Sequence, residues 1–458
     1  MFMDKTVCEL FAGVGGFRCG LNHITSSAEK QKEKWKTVWF NQWEPAEKTT
    51  QYAHDCYVYN FGKSLDIDGN ETTNLNIEDV DKSKIPDFNL LVGGFPCQDY
   101  SVASTLHTSK GLEGKKGVLW WSIRDTIEEK KPPFVLLENV DRLIKSPAKQ
   151  RGRDFGVMLT CLRDQGYNVE WRVINAAEYG YQQRRRRVFI FAYRNDTNYS
   201  RRTIDSEVNL SLVKSIIKDN GFFATTFKIK DFSEDRIKSI VIPEEIGTVS
   251  SEFKFDFMNS GIMLNGVIYT VKTEVLYNGE YKTLGDILET EEVDESYFIP
   301  NERLYYTDPD VKRSDESENQ LSKEERKTWQ YLKGGKKLKR RAGSGHDYIF
   351  SEGAIPLVDE WDKPARTMLT SEGNFSRTTH VVKDKVTGRL RLLTATETER
   401  IQGFPTNHTK YCLTNGEIVR MPENKRRFMM GNALVVNLIE DMEKTLSEIF
   451  KNEDDNIR

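Results

Sequence analysis

The chain has 458 residues, enough for about two or three domains and a large core. Its formal net charge is only -3 although 30% of its residues are charged, so a nucleic-acid surface has to be a local basic patch and not a global excess. Six scattered cysteines (Cys8, Cys19, Cys56, Cys97, Cys161, Cys412) form no CxxC pair and have no histidine cluster beside them, which suggests neither a zinc site nor a disulfide framework.

No apolar run is long enough for a membrane span, and the opening MFMDKTVCEL lacks a basic region followed by an apolar stretch, so a reduced, cytoplasmic protein is expected. Over the first 194 residues, short apolar runs ending in glycine or polar loops alternate with segments of helical character, the α/β rhythm. Strands are expected at Thr6–Leu10, Thr37–Phe40, Asn89–Gly93, Phe134–Glu138, Val169–Asn175 and Val188–Tyr193. Helices are expected at Gly16–His23, Pro45–Phe61, Val118–Lys130 and Phe155–Gln165, the last closed by Gly166. From 195 to 388 the rhythm breaks into charged runs, irregular strands such as Gly266–Lys272 and glycine loops. It resumes over 389–458, which reads as a second domain inserted before the chain returns to the first.

Glu9 to Leu21, ELFAGVGGFRCGL, runs a strand into a glycine-rich turn and a helix. Glycine permits close backbone approach and a helix start offers free N–H groups, yet on these residues alone a packing turn is as good a reading as a cofactor cradle. The next strand ends in the polar tip Asn41-Gln42-Trp43-Glu44, where nucleoside-binding α/β folds contact ribose hydroxyls; Trp43 could stack on an adenine or simply pack. Three further stretches lie in order near the ends of expected strands: GGFPCQDYS from Gly93, LLENV from Leu136 and QQRRRR from Gln182. In an open parallel sheet they would bring a thiol, a carboxyl group and guanidinium groups to one rim.

FAGVGG, GFPCQ, ENV, QQRRRR, RLLTATETERIQGFP and MGNAL resemble, in order, the motifs of DNA cytosine-5 methyltransferases of the restriction-modification type. The likeness is close over 1–194 and about the last 70 residues, and loose between. It implies an α/β, Rossmann-like S-adenosylmethionine-binding domain (1–194 and 389–458), a smaller inserted target-recognition domain (195–388), and double-stranded DNA between them. Cys97, aimed by Pro96, would add as a thiolate to cytosine carbon 6 and so make carbon 5 nucleophilic. Glu138 would hydrogen-bond or protonate ring nitrogen 3, which needs a carboxyl that keeps its proton, as a dry pocket favours. Arg187 and Arg185 would reach the cytosine carbonyl and its surroundings.

The cofactor would lie against Phe11, Ala12, Gly13, Gly15, Gly16, Gln42, Trp43, Asn76, Ile77, Gly94, Leu119, Asn432 and Ala433. Gln42 and Asn76 stand where relatives commonly carry acids, with Glu44 near enough to substitute for the former, and Ala433 stands where a serine is frequent. Base flipping is required to reach a stacked cytosine. The polar loop 99–116 would close over DNA, with Gln98, Ser101 and Lys110 touching it. Arg326 to Tyr348, RKTWQYLKGGKKLKRRAGSGHDY, interleaves basic and aromatic residues and would face DNA through Lys336, Lys337, Arg340 and Arg341. A transfer-RNA cytosine-5 methyltransferase and a catalytically silent DNA-binding protein of the same fold are the alternatives. The implied setting is a nucleoid-associated monomer without metal, serving with a cognate restriction endonuclease.

Overall fold

A computed structural model describes residues 3–26, 29, 33–45, 50–95, 119–204, 206–306, 321–341, 343 and 345–453. Its centre is a nine-stranded sheet: β1 (Thr6–Leu10), β2 (Lys36–Asn41), β3 (Leu90–Gly94), β4 (Phe134–Val140), β5 (Tyr167–Asn175), β6 (Arg186–Arg194), β7 (Lys238–Val241), β8 (Ser260–Leu264) and β9 (Val267–Val271), in the order β2-β1-β3-β4-β6-β5-β8-β9-β7. Sequences such as LLVGG and FVLLENV suit central strands because nearly every residue is buried. The sheet is mixed, which corrects the expected open parallel sheet. Strands β1 to β4 pair parallel, whereas β6 pairs antiparallel with both β4 and β5. The reason is the connection 176–185: it is too short for a crossover helix, so β6 has to run back alongside β5. That reversal puts the start of β6 on the same rim as the end of β4, with Arg187 opposite Val140.

The expected boundary after 194 falls inside this sheet, because β8 pairs with β5 and carries β9 and β7 with it. Trp171 of β5 explains the fit: it packs over Gly261 of β8, where a Cβ would lie 2.1 Å from the indole. The other expected boundary, 388 and 389, lies in the turn of a hairpin joining Val381–Lys383 to Leu390–Leu392. The chain closes with the helix Val436–Lys451, whose apolar residues recur at helical spacing and are buried from Val436 to Phe450. It packs on the helix Gly16–Leu21 so closely that a Cβ on Gly20 would lie 2.5 Å from Ile439. Glu443 of the closing helix takes the Trp35 indole N–H at 2.8 Å and contacts His23 at 2.9 Å, tying the last segment to the first. Among the described residues no helix is long and apolar enough to cross a membrane.

Candidate active site and cofactor cradle

At the rim, Gly94 ends β3 opposite Glu138 of β4. Glu138 is 8% exposed, and its Oε1 receives Arg187 Nε at 2.8 Å. The missing side chain of Gly94 makes room for the carboxyl group, since a Cβ there would lie 3.3 Å from Glu138 Oε2. Asn139, next along ENV, turns inward and is 1% exposed; its amide donates to the Phe95 carbonyl at 3.0 Å and accepts from Val140 N–H at 2.8 Å. The strand carrying the carboxyl group is thereby clamped to the backbone leading into Pro96 and Cys97. Those two residues, with Gln98, Ser101, Lys110 and the loop 99–116, lie outside the described residues.

Arg185 is engaged elsewhere. It is 1% exposed and donates to the carbonyls of Met368 at 3.0 Å, Gly431 at 3.1 Å and Asn432 at 3.5 Å. Burial, and then the neighbouring Arg187, pulls its pKa down to about 9, which still leaves it charged at neutral pH. Its geometry is that of a clamp between the region before 388 and the returning chain. Sequence reasoning missed its partner, the segment 364–370, because PARTML carries no chemical signature. The segment bridges to Gln183 through Ala365, accepts Arg184 N–H at Ala365 O and runs against Gly431, where a Cβ would lie 2.4 Å from the Leu369 and Thr370 backbone.

On the other side of β1, Phe11, Gly13 and Gly15 all take positive φ (54°, 56° and 89°), so the chain turns sharply after the strand. The three do different jobs. Phe11 bears the rarer strained conformation of a side-chain residue. Gly15 is a packing residue, since its Cβ would lie 2.5 Å from Phe61, and Gly13 faces open space. Gln42 reaches back so that its Oε1 accepts Gly13 N–H at 2.7 Å, leaving its NH₂ group as a donor. Asn41, 2% exposed, donates to the Thr73 and Leu75 carbonyls at 3.2 and 2.9 Å and so sets the loop bearing Asn76 and Ile77 beside Gln42. Asn76 is half-buried and its side-chain oxygen accepts Glu78 N–H at 3.4 Å, while Ile77 is buried. Glu44 is already committed: its Oε2 accepts Ala53 N–H at 2.8 Å in the first turn of the helix Tyr52–Phe61. Trp43, Leu119 and Ala433 are half-buried, Ala12 and Gly16 are buried, and Asn432 is exposed at the end of the helix Glu423–Asn432.

Beneath the turn lies Glu9, 1% exposed, whose Oε2 accepts the Tyr57 hydroxyl at 2.8 Å. Burial pushes its carboxyl up to about 7, against the Tyr57 hydrogen bond, the Arg18 guanidinium and the backbone amides of Arg18 and Phe17, all of which favour the ionised form. Glu9 Oε1 is buried without a hydrogen-bond partner among the described residues, and the nearby first-turn amides of Phe17 and Arg18 favour its ionised form. With the open space at Gly13 and the Gln42 donor, the residues fit a nucleoside cofactor that brings no phosphate. Sequence reasoning passed over Glu9 because a carboxyl group inside a strand looks like any other.

A mixed sheet of this order, with a glycine-rich turn after β1 and a carboxyl–guanidinium pair on the neighbouring rim, has the α/β, Rossmann-like architecture of the methyltransferases. Residues 5–448 match the model of the C-5 cytosine-specific DNA methylases, and the chain belongs to that family, whose members are S-adenosylmethionine-dependent. It is 44% identical to the Type II methyltransferase M.Sau3AI of Staphylococcus aureus over 436 residues, 94% of this chain and 93% of that one. With the Type II methyltransferase M.HhaI of Haemophilus parahaemolyticus it shares 32% identity over 190 residues, 42% of this chain and 49% of the relative. Among solved structures, the Dnmt2 methyltransferase of S. pombe superposes with a TM-score of 0.52 at 14% identity, covering 97% of this chain and 98% of that one, a likeness of fold alone. The chain is a DNA (cytosine-5)-methyltransferase, as the motif order implied.

Proposed function

We propose that Cys97 is the nucleophile of this methyltransferase and that Glu138 and Arg187 hold the flipped cytosine. The observation that carries this reading is the Glu138–Arg187 pair at 2.8 Å, held on the rim beside the backbone that leads into Cys97. Cytosine carbon 5 is too weak a nucleophile to take a methyl group unaided. The Cys97 thiolate adds to carbon 6, the electron pair of the 5,6 double bond moves toward carbon 5, and negative charge spreads onto the ring. Glu138 meets ring nitrogen 3 and Arg187 the ring carbonyl, each contact strengthening as that charge develops. S-adenosylmethionine supplies an electrophilic sulfonium methyl when bound. Once carbon 5 carries the methyl group, a base removes its proton and the Cys97 sulfur leaves as thiolate, restoring the double bond.

Gln42, Asn76, Ile77 and the turn at Gly13 hold the adenosine part, and Asn432 with the backbone about Ala433 meets the methionine end. Pro96 stiffens the approach to Cys97, and Gln98, Ser101 and Lys110 follow the DNA over the pocket. The basic hairpin of 336–352 faces the duplex and takes part in choosing the site. In the cell the protein is the modification half of a restriction-modification system, a cytoplasmic, nucleoid-associated monomer whose methylation protects DNA from a partner endonuclease. The similarity to a Type II methyltransferase along nearly the whole of both chains supports this role. The test is Cys97→Ser: methyl transfer is expected to be lost while cofactor affinity stays within about twofold of wild type. Methylation persisting in the variant removes Cys97 as nucleophile.

A further inference from the structure

The hairpin formed by β10 (Lys336–Arg341) and β11 (Asp347–Glu352) has two chemically different faces. Its register pairs Lys336 with Glu352, Leu338 with Phe350 and Arg340 with Tyr348, and, alternating with these, Lys337 with Ser351, Lys339 with Ile349 and Arg341 with Asp347. Side chains alternate across a strand, so the two sets point to opposite faces.

The even-numbered face is turned toward the protein at the base of the hairpin, while Arg340 and Tyr348, nearer the turn, are exposed. Lys336 is 8% exposed; its ammonium donates to the carbonyls of Leu332 at 2.9 Å and Gly334 at 3.3 Å and lies 4.9 Å over the Tyr331 ring. Leu338 and Phe350 are half-buried, Glu352 meets Arg377 at 2.7 Å, and the Arg340 guanidinium stacks 3.8 Å over Phe350. On the other face Lys337, Lys339 and Ser351 are exposed, and Ile349, across from Lys339, is 59% exposed. Among the described residues neither lysine has an ion pair, whereas Arg341 at the turn is held by the Gly345 carbonyl at 3.1 Å and lies 3.6 Å from Asp347.

We propose that duplex DNA lies against the odd-numbered face, with Lys337 and Lys339 as phosphate contacts and Ile349 as the apolar contact beside them. The proposal rests on the reading that this hairpin faces DNA, and names the face and the residues within it. A two-stranded ribbon is narrow enough for the major groove. Ammonium groups without a counter-charge are free to replace the counterions of the duplex, while Lys336 already spends its donors on carbonyls and Arg340 its plane on a ring. An exposed isoleucine in a strand gains by leaving water, and a base edge carrying a thymine methyl is an apolar surface at that depth.

The test measures binding of the full-length protein to a duplex carrying its methylation site, by fluorescence anisotropy over a series of salt concentrations. Lys337→Gln and Lys339→Gln are each expected to weaken binding several-fold and to reduce the slope of log K against log salt by about 0.9, one phosphate contact's worth. Ile349→Ser is expected to weaken binding without changing the slope, and Arg340→Gln to leave the slope as in wild type. Cofactor affinity, measured on every variant, reports that the fold is intact. If Arg340→Gln lowers the slope, alone or together with the lysine variants, the face assignment is overturned while the hairpin still faces DNA. If all four variants bind as wild type does, the hairpin reading itself falls.

Discussion

Asn139→Ala removes the clamp between the two halves of the catalytic rim. In a site that is 1% exposed, the side chain donates to Phe95 O at 3.0 Å and accepts from Val140 N–H at 2.8 Å. Each is worth about 1 kcal/mol net, and a buried carbonyl left without a donor costs about 1–3 kcal/mol on its own, so a loss of about 2–4 kcal/mol is expected. For a chain of this length the unfolding entropy is about 1 kcal/mol per kelvin, so the melting midpoint should fall by only about 2–4 °C. The effect on catalysis should be much larger. A displacement of about 1 Å in a reacting group costs on the order of 10²-fold, and Phe95 is the last described residue before Pro96 and Cys97. Single-turnover methylation with saturating cofactor and DNA reads the chemical step, and calorimetric titration reads cofactor affinity. The expected result is a roughly 10²-fold slower step with cofactor affinity nearly unchanged, because the amide holds the backbone at Phe95 and Val140. A melting shift of the expected size with the chemical step within about threefold of wild type would refute the idea that this amide positions the catalytic loop.

Four further outcomes follow from the same geometry. Arg187→Ala is expected to slow methyl transfer by about 10²–10³-fold with little change in melting temperature, as for removal of one charge-stabilising donor. Arg185→Ala should lower the melting temperature first, because it strips the buried carbonyls of Met368 and Gly431 of a donor, and Arg185→Lys should not restore it, since one ammonium cannot span Met368, Gly431 and Asn432; melting scans of the two variants beside wild type decide this. Gln42→Ala should weaken cofactor binding about 5–10-fold by freeing Gly13 N–H, with DNA affinity unchanged, as titration with each ligand would show. Glu9 makes stability depend on pH. Its folded carboxyl sits at about 7 against 4.5 unfolded, so the folded state binds the proton more tightly and stability from this group is fully present below about 4.5 and lost as pH rises through 7. Glu9→Gln should therefore gain stability relative to wild type by about 2–3 kcal/mol between pH 5 and pH 8, read from denaturant midpoints at the two values.

The α/β core was legible because its signals are local. The apolar runs that became β1, β3 and β4 lead into a glycine-rich turn, a glycine pair and the triplet ENV, and Gly166 closes the helix Arg153–Asp164 at a φ of 81° as its position suggested. Ordered motifs then carried the family, and with it the chemistry. What stayed hidden depends on contacts between residues far apart in the chain. Nothing in the local pattern of 238–271 distinguishes an inserted domain from three more strands of the central sheet; the pairing with β5 decides it. QQRRRR does not say which guanidinium meets a carboxyl group and which meets carbonyls, because the partners of Arg185 come from Met368 and the 431–432 turn. His408 donates to the Val14 carbonyl at 2.7 Å, bracing the glycine-rich turn across nearly the whole chain, and no spacing rule could have found it. Glu44 looked free to substitute for an acid at Gln42, and its use as a helix cap appears only once Ala53 is placed beside it.

The proposed reaction turns on a covalent bond between Cys97 and carbon 6 of the target cytosine. Incubating the protein and S-adenosylmethionine with a duplex carrying 5-fluorocytosine at the methylated position tests it directly, because fluorine cannot leave carbon 5 as a proton does. A denaturation-resistant protein–DNA adduct whose cross-linked peptide contains Cys97 is expected, and no adduct with Cys97→Ser. An enzyme that methylates ordinary cytosine yet forms no such adduct, or forms it through another residue, would contradict it.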